Sequence, residues 1–455
     1  MAGRDDRQKR QRVTSTPRRI ALRGHVVSCR LDPRLFSWDE AVIDIADGLV
    51  VVENGIIAAV GPYDSVRSSI DSATHVEHYP ECLLAPGFVD SHVHYAQAPM
   101  VASHGTTLLD WLTKYTFPNE ERFSDVSYAR SVAKFFFDEL LRNGTTSVLA
   151  FCTVFPQSTD AFFEEASRRN MRVIGGKVLM DRNAPSSLTD TVQSGYDDSK
   201  ALIERWHGNG RLRYAITPRF APTSSEGQLR SASSLWQEFP TCLVHSHVSE
   251  NLEEIEWVRS LFPNRAGYLD VYDDAGLLGR GTVLAHGVHL TRDELDRIAA
   301  TSTSLAHCPT SNTFLGSGLF SFNKVNAARE HIDVGLGTDI GAGTSFSLLT
   351  TMGEAYKVAA LTASSMNAYE LFYLATLGGA RALGVSSFVG SLEVGKEADV
   401  VVLDPRSSPL LAYRSDRVTS TEEQLFALAM LGDDRSVAAT YVAGERAYER
   451  RFDDD

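Results

Sequence analysis

Between Leu83 and Asp339, eight short β-rich runs each give way to a stretch of helical character, and this alternation restricts the fold more than any other feature of the chain. The runs are LLAPGFVDSHVH from Leu83, TTSVLAF from Thr145, RVIGGKVL from Arg172, RYAITP from Arg213, CLVHSHV from Cys242, TVLAHG from Thr282, TSLAHCP from Thr303 and VGLGTD from Val334. Among the stretches between them, DVSYARSVAKFFFDELL from Asp125 is representative. Its Val132, Phe135, Phe136 and Leu140 fall at spacings of one helical face, Ser124 or Asp125 stands at the N-cap position, and Asn143-Gly144 supplies the stop. Eight such repeats over roughly 280 residues predict an α/β chain with a closed (β/α)8 TIM barrel. A doubly wound open sheet is the alternative that the pattern leaves.

The flanks differ in texture. LVVVENGIIAAVG carries the hairpin pair Asn54-Gly55, and the same character returns in KEADVVVLD and in ATYVAGERAYE with its Ala443-Gly444 turn. Residues 20–84 and 388–450 are therefore expected to form one small β-sandwich domain from both ends of the chain, with the barrel, 85–387, inserted in it. Residues 1–19 read by composition as a disordered basic tail.

A formal charge of −14 argues against nucleic acid and anionic membranes as partners and for a small molecule. The five cysteines have no CxxC spacing, so neither a disulfide framework nor a thiolate metal site is expected, and a reducing cytoplasm suits them. No apolar run reaches the ~18 residues of a membrane span, and the basic start lacks the apolar stretch of a signal peptide.

In a barrel, the side chains that meet at the active site come from the C-terminal ends of the strands. The first run ends in His92-Val93-His94, whose imidazoles share a face because strand side chains alternate. His247, His286 and Asp339 end the fifth, sixth and eighth runs. A single strand-end histidine is commonly structural, and Asp339 alone also suits a helix N-cap; the five together suit Zn2+ or Fe2+, with three to five of them binding directly. His245 shares the face of His247 but lies a layer deeper, where hydrogen bonding or packing is expected. A metal with an open position lowers its water's pKa to about 7, which points to hydrolysis. Glu250, in HVSE, is the candidate acid, although position by itself favours an ordinary first-turn helix acid before NLEEIEWV.

PGFVDSHVH, HVSEN, LAHG, AHCPTSN and GLGTD resemble the amidohydrolase superfamily, metal-dependent hydrolases of the ATZ/TRZ type, and EVGKEADVVVLD resembles the closing strands of its small β domain. More narrowly, HVHYAQ, LLDWLTKYTFPNEERF, RNGTTS, GKVLMDRN, ITPRFAPTSS and LGDDRS are similar to the guanine deaminase family. That resemblance implies one zinc per subunit on His92, His94, His247 and Asp339, with His286 against the metal and its water. It also implies guanine contacts by Gln97, Arg219 and Phe220, alongside His247 and Glu250. The side-chain chemistry of the trio suits a purine, since Gln97 offers an amide donor and acceptor to the ring edge, Arg219 a guanidinium to a carbonyl oxygen, and Phe220 a flat apolar ring. Without the resemblance, Arg219 reads equally as a rim salt bridge and Phe220 as core.

The implied reaction is guanine deamination to xanthine and ammonia in purine catabolism, by a cytoplasmic homodimer. Asp339, assisted by His286, would take a proton from the metal-activated water, while Glu250 protonates the ring nitrogen beside the amino-bearing carbon. Three alternatives are weighed against it. They are a deaminase of another purine, a pterin or a triazine; a two-metal hydrolase, which RYAITPRF does not support because it has no lysine; and a barrel that has lost catalysis.

Overall fold

Gly87 divides a run that the sequence presents as one strand. In the computed structural model, which describes residues 19–72, 74–105 and 107–450, Leu83–Pro86 closes a strand of the small domain and the barrel begins at Phe88. A side chain at Gly87 would meet Thr146 at 2.2 Å, so only glycine lets the chain pass from one sheet to the other here. The basic tail lies outside the described residues.

The small domain uses β1 (Arg19–Cys29), β2 (Val42–Glu53), β3 (Ile56–Pro62) and β4 (His75–Pro86) from the start of the chain. The barrel follows as β5 (Phe88–His94), β6 (Thr145–Phe151), β7 (Arg172–Gly176), β8 (Val178–Leu179), β9 (Arg213–Pro218), β10 (Leu243–Val248), β11 (Thr282–His286), β12 (Ser304–His307) and β13 (Val334–Leu336). From the other end of the chain, β14 (Val400–Leu403), β15 (Val437–Val442) and β16 (Glu445–Glu449) rejoin the small domain in the order β16-β15-β14-β4-β1-β2-β3. Its long strands break register at Gly24–His25 and Val51–Val52, and the sheet wraps around a core of Leu22, Val50, Leu84, Val400, Val402 and Tyr441. The Asn54-Gly55 and Ala443-Gly444 turns close hairpins as their sequence indicates.

The barrel strands are parallel in the order β5-β6-β7-β9-β10-β11-β12-β13, with β8 continuing the third strand past Lys177 and pairing with β9. The backbone N–H of Asp339 donates to His92 O at 2.9 Å and brings the last strand back to the first. Barrel strands are covered on both faces, and β5, β6, β10 and β11 are buried throughout even though they carry polar as well as apolar side chains.

The helix Val126–Arg142 starts at the Asp125 cap, whose side chain accepts from Ser127 N, and buries Val132, Phe136 and Leu140. Phe135 does not join them; it is 51% exposed, because its position turns it off the i, i+4, i+8 row. Phe136 packs on Tyr95, whose hydroxyl donates to Ser158 O, so the helices outside the barrel brace the segment that follows His94. Each fully buried phenylalanine contributes about 1.5–3 kcal/mol there. Between β5 and this helix lies a strap of short turns, Tyr95–Met100, Leu108–Trp111 and Phe117–Glu121, over the barrel mouth. Among the described residues no helix is long and apolar enough to cross a membrane.

Candidate active site

Period-two alternation carries His92 and His94 to one face of β5, and the barrel brings His247, His286 and Asp339 to them. All five are buried. Asp339 Oδ1 lies 3.2 Å from His92 Nε2 and 3.5 Å from His94 Nε2, Asp339 Oδ2 lies 3.8 Å from His286 Nε2, and the His94 and His247 Nε2 atoms are 3.1 Å apart. His286 and Asp339 both take left-handed backbone conformations, φ 71° and 50°. Such non-glycine geometry costs about 1–3 kcal/mol each and aims both side chains inward.

The outer nitrogens of three of the rings are engaged. His247 Nδ1 donates to Arg219 O at 2.6 Å, His286 Nδ1 lies 2.9 Å from Asn312 Oδ1 and donates to it, and His92 Nδ1 lies 2.8 Å from His245 Nε2. These partners leave the Nε2 lone pairs for the centre. His92 Nε2 is buried and has no hydrogen-bond partner among the described residues, as expected of an atom awaiting a cation. Burial, reinforced by the neighbouring imidazoles and Arg219, holds His92, His94 and His247 well below the ordinary histidine value, so they are neutral donors. Nitrogen and carboxylate atoms this close fit a divalent cation with an open position. The thiol of Cys308 also lies near His92, His286 and Asp339, but burial and the surrounding carboxylates push it far above the usual thiol range.

Glu250 is not a helix acid. The helix Leu252–Leu261 starts after the Asn251 cap, and Glu250 precedes it, buried, with Oε2 3.4 Å from His286 Nε2 and Oε1 accepting from Ser317 Oγ at 3.1 Å. Burial, and next the charge of Asp339, raise its carboxyl to about 8. Burial raises Asp339 to about 6. Burial thus displaces both carboxyls toward the acid form, Glu250 further than Asp339, a separation that suits one as proton donor and the other as acceptor.

Gln97, Arg219 and Phe220 line the same cavity as His94, His247, Glu250, His286 and Asp339. Phe220 stands edge-on to His247 at 6.4 Å, and Leu108, Trp111 and Leu112 of the strap add an apolar wall. Arg219 is indeed salt-bridged, with Nη1 2.9 and 3.0 Å from the two carboxylate oxygens of Glu120, but at the buried mouth of the barrel and facing the cavity. Sequence reasoning did not single out Asp90, Asn119, Glu120, Asn312 or Ser317. Asp90, Asn119, Glu120 and Asn312 lie inside the quoted motifs, where only tertiary proximity reveals their use; Ser317 lies in none.

The arrangement can hold a divalent cation, generate a nucleophilic water, accept one proton and deliver another to a flat polar ring. The amidohydrolase family matches residues 83–447. A guanine deaminase of Escherichia coli strain K12 is 52% identical over 406 residues, 89% of this chain and 92% of the relative. The E. coli guanine deaminase structure superposes with a TM-score of 0.91 at 49% identity, covering 95% of this chain and 99% of that one. A guanine deaminase of C. acetobutylicum, solved with guanine in its active site, gives 0.84 at 29% identity over 94% and 100%. A family match that runs from the last strand segment before the barrel into β16 takes in both the barrel and the returning β strands, and so the chain belongs to the amidohydrolase family.

Proposed function

We propose that this amidohydrolase is a guanine deaminase, which hydrolyses guanine to xanthine and ammonia. One observation carries the reading: the metal-capable cluster and the purine-suited trio Gln97, Arg219 and Phe220 open into one cavity. The likeness to guanine deaminases over most of the chain supports it, and nothing favours another purine, a pterin or a triazine.

His92, His94, His247 and Asp339, with His286 beside them, are the residues proposed to hold the metal, Zn2+ in this reading and Fe2+ as the alternative. Bound there, the ion supplies a water with a pKa of about 7 and positive charge for the oxygen that adds to the ring. Arg219 donates to the purine carbonyl, the Gln97 amide pairs with the ring edge, and Phe220 covers a face. Asp339 accepts the first proton of the water, and His286, 3.8 Å away, steadies the carboxyl. Glu250, protonated at neutral pH, gives its proton to the ring nitrogen beside the amino-bearing carbon. As the tetrahedral carbon collapses, the proton on Asp339 leaves with the amine as ammonia, and the second water proton restores Glu250.

Five free cysteines support a cytoplasmic setting, and the family resemblance supports a homodimer working in purine catabolism. Metal-quantified protein incubated with guanine is expected to yield xanthine and ammonia one for one; a zinc-loaded protein that leaves guanine intact overturns the assignment. Glu250→Gln is expected to lower turnover about 100-fold or more with the bound metal retained.

A further inference from the structure

We infer that Glu120 and Asn119, neighbours in the short strap helix, are positioning residues that set the two purine-reading side chains, Arg219 and Gln97. The inference rests on the substrate reading above. Glu120 is 1% exposed, and both of its oxygens accept from one nitrogen, Nη1 of Arg219. Among the described residues Nε and Nη2 have no protein acceptor, although Arg219 is itself 3% exposed and lines the cavity. The guanidinium is thus anchored at one corner with its other donors left for a ligand, and the Phe117 ring, 5.9 Å from Cζ, flanks it.

The adjacent residue reaches the segment that carries Gln97. Asn119 Nδ2 donates to Ala96 O at 2.6 Å, and Asn119 Oδ1 accepts from Tyr128 OH at 3.3 Å. Ala96 immediately precedes Gln97 in the turn Tyr95–Met100, so Asn119 fixes the backbone from which the Gln97 amide projects. One five-residue helix, Phe117–Glu121, therefore holds both Arg219 and the backbone that carries Gln97.

Stability alone does not account for this arrangement. A buried ion pair pays desolvation on both charges and stabilises no better than well-packed apolar side chains, which Leu108, Trp111 and Leu112 already supply in the same strap. What apolar packing cannot do is fix the direction of a guanidinium fork. The link continues inward, because the carbonyl of Arg219 accepts from both Nδ1 and the backbone N–H of His247. The strap thus orients the substrate-reading arginine on the same residue that fixes a candidate metal ligand.

The test compares guanine with 2-aminopurine, which keeps the reacting amino group and lacks the carbonyl oxygen, followed as substrate or as competitive inhibitor. Glu120→Gln, nearly isosteric, is expected to raise KM for guanine about tenfold or more with kcat within about twofold, since a uniformly used binding contact is lost. Handling of 2-aminopurine is expected to stay within about twofold. Glu120→Asp, which keeps the charge, is expected to recover part of the guanine preference. Asn119→Ala is expected to raise KM for both purines together. Melting temperature and metal content accompany each variant. An unchanged KM for guanine, or equal losses on both purines in Glu120→Gln and Glu120→Asp, overturns the role of Glu120, and unchanged KM values in Asn119→Ala overturn that of Asn119. Absence of guanine turnover in the wild-type protein overturns instead the functional reading beneath it.

Discussion

Asp90 Oδ1 accepts the backbone N–H of Thr338 at 3.0 Å, a contact between residues 248 apart that ties the first barrel strand to the end of the last. The same oxygen accepts His92 N at 3.2 Å, and Thr338 Oγ1 donates to Oδ2. One buried carboxyl therefore sets the separation of His92 from Asp339. Asp90→Ala strands the Thr338 and His92 donors at about 1–3 kcal/mol each and loosens the cluster. We expect a lower melting temperature and about 10–100-fold weaker metal binding in competition with a chelator. Asp90→Asn, which keeps an acceptor for Thr338 N, is expected to lose much less; metal affinity undiminished in Asp90→Ala would falsify the account.

His245 supports His92 from within the barrel. For His92 Nε2 to offer a lone pair to the centre, its proton must sit on Nδ1, and Nδ1–H then donates to His245 Nε2, 2.8 Å away. His245→Leu removes that acceptor at similar volume, and metal affinity is expected to fall about 10–100-fold. Equilibrium dialysis with Zn2+ measures it. Affinity equal to wild type would show that His92 keeps its tautomer without His245.

The parts of this site that sequence revealed share one property: each lies at a fixed place in a repeated unit. His92, His94, His247 and His286 lie within the last three residues of barrel strands and Asp339 three residues beyond β13, and strand ends converge whatever the loops do. Gln97, Arg219 and Phe220 sit within three residues of a strand end and were identified by motif likeness. Glu120 and Asn119 could not be found that way, because their meaning depends on how a strap of short turns folds back over β5 and β9. The division at Gly87 was hidden for a related reason: both strands flanking it are apolar, and periodicity does not say to which sheet each belongs. Phe135 fails differently, since its hydrophobicity matched a helical face that its angular position misses.

Ser317 should tune the alkaline limb of the pH profile. Its hydroxyl donates to Glu250 Oε1 and so favours the carboxylate, while burial and Asp339 favour the acid. Glu250 must be protonated to act as donor, so activity is expected to decline as pH rises through about 8, where its proton is lost. Ser317→Ala removes the interaction that stabilises the anion and is expected to move this limb to higher pH, with guanine kcat at neutral pH within about threefold. The profile of kcat against pH for both proteins decides it; a limb that stays put or moves to lower pH excludes this control.

Gly341 determines the space available to Gln97. Its φ is +121°, and a Cβ added there would lie 2.2 Å from Gln97 Oε1 and 2.4 Å from Gln97 Cβ. Gly341→Ala therefore imposes both backbone strain, about 1–3 kcal/mol, and displacement of the amide from the cavity. The first effect lowers the melting temperature; the second is expected to raise KM for guanine about tenfold or more, as for any lost uniform contact. The two separate in a double-mutant cycle. Once Gln97→Ala has removed the amide, adding Gly341→Ala has no purine contact left to spoil, so KM should change little further while the melting temperature still falls. A KM penalty of the same size in both backgrounds would mean that Gly341 acts on the neighbouring Asp339 rather than through Gln97.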